Sequence, residues 1–301
     1  MIYYHNSNDS CLALSIPLND IAVNNGRNIA ERLLAMRDSD IGPAIDSGQF
    51  VDDPIFAKGK SASLGSFYAP FDWINPLADV VIIGITPGKK QALAGLRAMR
   101  NKLLQWDKSD TGMASALSEA KAVASFDGPM RDIAAKLMNH FNIHKLLEME
   151  DSSDLFESAA ARAHYTSVYR YPVLKMENGT WKNYSGGKSA SSRANPLLAE
   201  FVEESLIPEL KCFPDAWLIP FGPTPATVLN DLADRGIVKS QRILNGLNHP
   251  SGEQWNRHNC QLNLVDHNKC ARNVGCKELQ TRSTALHGKV ASQLDAIQTL
   301  R

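Results

Sequence analysis

Ala78-Asp79-Val80-Val81-Ile82-Ile83-Gly84-Ile85-Thr86-Pro87-Gly88-Lys89-Lys90 is the stretch that decides the fold. Val80 to Ile83 is an unbroken β-branched apolar run, the pattern of a strand buried on both faces of a parallel sheet. Gly84, Pro87 and Gly88 then stop it in a tight turn, and Lys89 to Gln105 has helical composition, so the unit reads strand, turn, helix. In open α/β sheets such a turn lies at the carboxyl end of a strand, where ligands bind. Backbone N–H groups at the start of the following helix, with Lys89 and Lys90, suit an anion.

Three further segments have strand character. Ala163 to Val173 alternates β-branched and aromatic residues, Ala216 to Phe221 is a short apolar run, and Gln241 to Leu247 leads straight into Asn248-His249-Pro250-Ser251-Gly252. Helical segments lie between them, at Pro129 to Leu147, Asn195 to Leu210 and Pro225 to Ala233. Strands alternating with helices predict a three-layer α/β/α sandwich around a central four-stranded parallel sheet. That domain is expected over residues 67–301, closing with a helix from His287 to Leu300. Residues 1–66, with one amphipathic helix candidate at Asn25 to Met36, read as an extension that packs on the core. Lys175 to Asn195 is polar and glycine-rich and reads as a long loop. Phe67-Tyr68-Ala69-Pro70-Phe71-Asp72-Trp73 brings four aromatics into seven residues just before the first strand, as core packing or as a platform for a flat ligand.

A chain of 301 residues with 44% hydrophobic composition can bury a substantial core. Its 32 basic and 32 acidic residues cancel, so no global field draws it to nucleic acid or membrane, and any polyanion site must be a local patch. The polar opening Met1 to Cys11 lacks the features of a secretory signal, and no apolar run is long enough to span a bilayer, so a cytoplasmic location without membrane contact is expected. Five scattered cysteines argue against a disulfide framework. A monomer is the default expectation.

If the first and fourth strands are parallel in one sheet, their carboxyl ends share an edge and Thr86 and His249 come together. On those residues the chain resembles the uracil-DNA glycosylase superfamily. Gly84-Ile85-Thr86-Pro87-Gly88 is similar to its first motif, Gly-x-(Asp/Asn/Ala)-Pro-(Tyr/Gly), and His249-Pro250-Ser251-Gly252 to its second, His-Pro-Ser-(Pro/Gly). Tyr68 to Asp72 stands upstream as in the single-strand-selective branch, and the likeness covers roughly Phe67 to Gly252. The resemblance implies a base-flipping enzyme that cleaves an N-glycosidic bond in DNA and needs no redox cofactor. It implies that His249 hydrogen bonds the departing pyrimidine, that Pro250 and Ser251 grip a phosphate, and that Gly84, Ile85, Pro87, Gly88, Tyr68, Phe71 and Ser167 line the base pocket.

Two departures redirect that reading. Thr86 stands where the family's best-known members carry Asp or Asn to position water; its hydroxyl can orient the attacking water but cannot take its proton at neutral pH. Thr86 is therefore expected to act with a substitute carboxylate, Asp72 or Glu253, which sit beside the two motifs, a solvated carboxylate being the plain alternative for each. Thr166-Ser167 stands where several branches have Thr-Asn to read the uracil edge, so specificity is expected to move from uracil to a larger pyrimidine. Hydroxymethylated or glycosylated cytosine of phage DNA is one candidate, with antiviral defence as the role. Ordinary uracil repair, a catalytically silent nucleic-acid-binding module, and a nucleotide- or phosphosugar-binding α/β enzyme remain as rivals.

The cysteines do not reproduce the four-cysteine iron–sulfur pattern of the family's thermostable branch, so no cluster is expected. His258, Cys260, His267, Cys270 and Cys276 lie within 19 residues and could supply four zinc ligands, but no CxxC or HxxxH knuckle is present and free thiols are the expectation. DNA contacts would fall on Lys89, Lys90, Arg97 and Arg100, on Lys182, Lys188 and Arg193, and on Trp255, Arg257 and His258, with Trp255 as a wedge or, more plainly, a packing anchor. Such phosphate contacts predict salt-dependent binding.

Overall fold

The structure is a computed structural model that describes residues 7–126, 128–186 and 195–299. The chain divides into two interleaved compact units: residues 1–77, 85–125 and 165–214 form one, and residues 78–84, 126–164 and 215–301 the other.

The first unit begins with α1 (Ser7–Ala35), α2 (Asp38–Ser47) and α3 (Gln49–Asp52). Then come β1 (Ala57–Ser61) and β2 (Leu64–Phe67). The expected helix at Asn25 is thus the last third of a much longer one, whose earlier part exposes Leu12, Leu14, Ile16 and Ile21 and so lacks a clean amphipathic signature. After the first motif α4 (Lys89–Leu103) buries Ala92, Leu96, Met99 and Leu103, a spacing that makes one apolar face. It packs beside α5 (Asp110–Ala124), which is capped by the Ser109 side chain.

The third pass of this unit corrects the long-loop expectation over residues 175–186; residues 187–194 of that segment lie outside the described residues. β5 (Val173–Glu177) and β6 (Thr180–Asn183) form a hairpin, and with β1 and β2 they make an antiparallel sheet in the order β1-β2-β5-β6. Asn178 and Gly179 both take positive φ, 50° and 76°, the conformation that a two-residue turn of this kind needs and that Asn-Gly adopts at least cost. Trp181 on β6 lies against Gly48 and Gly65, where a Cβ would meet its ring at 2.0 and 3.0 Å. The unit ends with α8 (Pro196–Phe201), a π-helical turn at Val202–Leu206, and α9 (Ile207–Lys211).

In the second unit β3 (Val80–Gly84) is buried along its whole length, as is β7 (Trp217–Pro220), and the two pair in parallel from Val80↔Trp217 to Ile83↔Pro220. With β4 (Ala163–Ser167), whose first two residues belong to this unit, the sheet is three-stranded, in the order β4-β3-β7. The four-stranded parallel sheet is therefore corrected to three strands plus one parallel bridge, Leu218↔Ile243. Two local features prevent a longer fourth strand. Residues Ser240–Arg242 wind into a 3₁₀ turn, and Gly246 has φ 136°, with Arg282 O and Leu286 Cβ only 2.9 Å from where a Cβ would stand. The helices of this unit are α6 (Pro129–His140), α7 (Ile143–Leu146), α10 (Pro223–Asp234), α11 (Trp255–Gln261) and α12 (Cys276–Thr299). Among the described residues no helix is long and apolar enough to cross a membrane.

Candidate functional site

The first motif begins in the second unit and finishes in the first. Gly84 is the last residue of β3, and the turn beyond it is held by residues of the first unit at the entry to the antiparallel sheet. Ile85 O accepts from Tyr169 N at 3.0 Å. Thr86 Oγ1 donates to Tyr171 O at 2.8 Å and accepts from Val173 N at 2.9 Å, which clips the turn to the start of β5. A hydroxyl has one proton to give, and here it is given to backbone. The expectation that Thr86 orients the attacking water through that proton is corrected accordingly.

The start of α4 is similarly engaged. Gly88 N–H donates to Gln91 Oε1 at 2.9 Å and Lys89 N–H to Asn183 Oδ1 at 3.0 Å. Lys89 Nζ is 3.2 Å from both the carbonyl and the carboxylate of Asp46. Two of the four free donors of the helix end, and one of its two lysines, therefore have internal partners, and the expected anion site is reduced to the two remaining backbone donors and the exposed Lys90. Arg97 pairs with Asp38 at 3.1 Å, and Arg100 Nε donates to Met36 O at 3.0 Å, so these two cations are also engaged within the unit.

The aromatic cluster is packing at its centre. Tyr68 is fully buried and Phe71 is buried, with the Tyr68 and Tyr171 rings 5.6 Å apart and Lys58 Nζ over both, at 5.3 and 4.9 Å. Burial, then the negative charge of Asp72, hold the Tyr68 phenol well above its ordinary range. Asp72 itself is buried: Oδ2 accepts from Asn25 Nδ2 at 3.4 Å, and Oδ1 has Arg170 Nη1 at 4.0 Å but no hydrogen-bond partner among the described residues. Arg170 Nη2 donates to Glu209 Oε2 at 2.9 Å, and Lys121 Nζ lies 3.6 Å from Glu209 Oε1 and donates to Trp73 O at 2.7 Å. Asp72 is thus one corner of a buried network of two anions and two cations rather than a solvated carboxylate. Burial pushes Lys121 down to about 8 in spite of Glu209, whereas the two carboxylates outweigh burial at Arg170 and keep it charged.

The second motif lies wholly in the second unit. Phe221 N donates to Ile83 O at 2.9 Å and Gly222 N to Leu247 O at 3.0 Å, so β3 and the 243–247 segment run along opposite sides of β7 and end at the same, carboxyl, edge. Gly84 and Asn248 leave the sheet there, two strand spacings or about 10 Å apart. Asn248 N donates to Gln261 Oε1 at 2.8 Å, and Gln261 Nε2 donates to Gly246 O at 2.7 Å. His258 Nε2 donates to His249 O at 2.8 Å. Both clamping residues come from α11 and are buried. Sequence reasoning misses this role for both, and places His258 at DNA or zinc instead. The signal that could have found them is their spacing, Gln261 and His258 being three apart on one helical face.

So held, the loop presents His249 half-buried, its Nδ1 accepting from Ser251 N at 3.3 Å. Burial, reinforced by His258, pushes His249 down to about 4. The imidazole is therefore neutral at physiological pH, and an accepting Nδ1 fixes the proton on Nε2. Around it Pro250 is buried, Ser251 half-buried, and Glu253 and Trp255 exposed, the latter 60%. Arg257 is drawn back to Gln254 Oε1 and Asn273 O, at 3.1 and 3.2 Å. Ser167 is half-buried and Thr166 Oγ1 is buried without a partner among the described residues. Lys188 and Arg193 lie outside the described residues; Lys182 is exposed on β6.

The chain is similar to a protein of Bacillus subtilis (strain 168) called "Uncharacterized protein YoxB". The two are 29% identical over 216 residues, which cover 71% of this chain and 80% of the relative. No family model matches the chain, and no solved structure does.

The clamp makes a direct prediction. Gln261→Leu leaves the Asn248 N–H and the Gly246 carbonyl buried without partners, and should lower unfolding stability by about 1–3 kcal/mol. A fall in the urea midpoint checks it.

Proposed function

We propose that the protein is a DNA glycosylase that extrudes a pyrimidine nucleotide and hydrolyses its N-glycosidic bond, leaving an abasic site. The observation that supports this best is the presentation of His249 at the carboxyl edge of the parallel sheet as a neutral imidazole whose Nε2 proton has no acceptor among the described residues. As the glycosidic bond breaks, its electron pair passes to the base and charge develops on the pyrimidine carbonyl oxygen. A fixed donor aimed there stabilises the transition state more than the ground state. Neutral imidazole suits the task, because the donor must not surrender its proton to the leaving group.

Thr86 does not serve the water in this reading, its proton being committed to Tyr171 O. A carboxylate takes its place, either Glu253, exposed on the turn after the second motif, or Asp72, buried with one unpartnered oxygen. Glu253→Gln and Asp72→Asn separate them: the one that matters lowers the rate of bond cleavage without weakening DNA binding. The half-buried Ser167, offering one hydroxyl in place of an amide, favours an enlarged or modified pyrimidine such as hydroxymethylated or glucosylated cytosine over uracil. Defence against phage DNA would be the corresponding role. Incubation with DNAs carrying uracil and modified cytosines, with released base identified by mass spectrometry, tests the reading. Efficient release of uracil alone would return it to uracil repair.

The commitment of the Thr86 hydroxyl also favours a second reading, a nucleic-acid-binding module without activity. That reading expects no released base from any DNA, and binding that survives His249→Ala.

The pH profile is set by His249. Base release should be flat from about pH 8 to 5 and fall only towards about 4, where protonation of Nδ1 breaks its bond from Ser251 N. The stability sign agrees. The unfolded imidazole takes up its proton near 6.5 and the folded one only near 4, so the unfolded state binds more protons between those values. His249's contribution is complete above about 6.5 and is lost as pH falls towards 4. An inflection in rate near 6.5 would contradict the assignment.

A further inference from the structure

The segment between α11 and α12 has almost no apolar surface to hold it in place. From Asn263 to Gly275 every residue is exposed except Cys270, which is half-buried, and Val274, which is buried. Its apolar contacts are Cys260, Val274 and Leu279, with Cys270 and Cys276 against them. So small a cluster does not offset the cost of ordering about a dozen backbone residues, at roughly 1–2 kcal/mol each. Yet the segment turns back so that Cys260 on α11, His267 and Cys270 in the connection, and Cys276 at the start of α12 face one another. Their ligand atoms all lie within 4.8 Å of each other.

From these positions we propose that Cys260, His267, Cys270 and Cys276 form a structural zinc site. Cys260 Sγ is 3.2 Å from Cys276 Sγ and 3.7 Å from His267 Nδ1. Tetrahedral zinc, with bonds of about 2.3 Å to sulfur and 2.0 Å to nitrogen, sets neighbouring ligand atoms about 3.5–3.8 Å apart. The observed spread lies around that range.

The surroundings are those of a metal ligand set. His267 Nε2 is 3.0 Å from Asn263 Oδ1, so the amide oxygen takes the Nε2 proton and the lone pair of Nδ1 faces the sulfurs. Gln280 Nε2 points an N–H at Cys260 Sγ, 3.6 Å away, and holds Cys260 O at 3.0 Å. Cys276 opens a 24-residue helix, whose amino end favours a thiolate, and Lys269 and Lys277 neighbour Cys270 and Cys276 in sequence. Binding displaces the three thiol protons to solvent and leaves a site of net charge −1. All four positions are filled by protein, which makes the site structural and leaves none open for catalysis.

The spacing, Cys-x6-His-x2-Cys-x5-Cys, contains a short His-x-x-Cys knuckle in place of the usual Cys-x-x-Cys. The metal would tie the end of α11 to the start of α12, and α11 carries the His258 and Gln261 that clamp the second motif. The zinc assignment itself does not depend on the glycosylase reading.

The test is elemental analysis of the full chain purified without chelator from zinc-supplemented cells. About one zinc per chain is expected, together with a colourless protein and a lower melting temperature after stripping with a strong chelator. Cys270→Ser and Cys276→Ser should each bring zinc below about a tenth per chain, while His267→Cys retains it. Should the serine variants not fold, cobalt substitution of the wild-type chain gives a second measurement. Intense visible bands of tetrahedral cobalt with thiolate charge transfer support the site, and their absence counts against it. Three outcomes would overturn it: zinc well below one per chain in the native protein, a Cys260–Cys276 disulfide in its peptide map, or bound iron with a brown colour.

Discussion

His249→Ala is expected to slow base release by about 100-fold to 1,000-fold while leaving the protein folded and able to bind DNA. The magnitude is that of removing one preorganised donor from a developing oxyanion, about 2.7–4 kcal/mol of transition-state stabilisation. The fold should tolerate the change because the ring makes one hydrogen bond among the described residues, from Ser251 N, while the loop itself is fixed through backbone atoms at Gly246, Asn248 and His249. Those clamps persist in the variant. His258→Leu should do the opposite: it leaves the His249 ring in place but removes the shorter of the two hydrogen bonds to its carbonyl, leaving only the one from Asn248 Nδ2 at 3.3 Å among the described residues, so the loss of rate should be smaller and accompanied by reduced stability. Single-turnover cleavage of a modified-pyrimidine oligonucleotide, monitored as alkali-labile abasic sites, reads both. If His249→Ala cleaves as fast as the natural chain, the donor lies elsewhere and the proposed function loses its main support.

The parts of the fold that the sequence announces are those in which one local signal decides. Val80 to Ile83 is apolar at every position and is buried at every position. Trp217–Pro220 is the same, and the two pair in parallel as such runs do. The elements that stay hidden depend on distant partners or on a single turn. The antiparallel sheet could have been found from Asn178-Gly179 alone, but the polar composition of residues 175–186 reads as loop because β6 exposes three of its four residues. The fourth parallel strand fails for a reason no window of sequence contains, the approach of α12 to Gly246.

The site divides in the same way. The two motif turns are legible because each is contiguous, and Gly84 and Asn248 do leave the sheet at one edge. The use of Thr86 is not legible, since it depends on Tyr171 and Val173, about ninety residues further along the chain. Asp72 suffers likewise. Beside Trp73 and Pro70 it reads as a loop carboxylate, and only the arrival of Arg170, with Lys121 and Glu209 behind it, shows it to be interior.

That interior network carries the largest expected effect on stability. Glu209→Ala should destabilise the protein by about 3–5 kcal/mol, the usual cost of removing one partner from a buried ion pair and leaving the other charged. Glu209 is fully buried on α9, and its two oxygens face different cations, Lys121 at 3.6 Å and Arg170 at 2.9 Å. The two respond differently. Lys121, already pushed down to about 8 with Glu209 present, can shed its proton and become a neutral amine still bonded to Trp73 O. Arg170 cannot, because guanidinium does not deprotonate in proteins, so the uncompensated charge settles there, with Asp72 at 4.0 Å the one remaining carboxylate paired with it among the described residues. Glu209→Gln should therefore recover part of the loss by restoring acceptors for both cations. Arg170→Met in the Glu209→Ala background should recover more than Lys121→Met does, because it removes the charge that has no other escape. Urea unfolding of the four variants measures the coupling directly. Equal recovery by the two methionine changes would show that the charge is shared between the cations rather than left on the arginine.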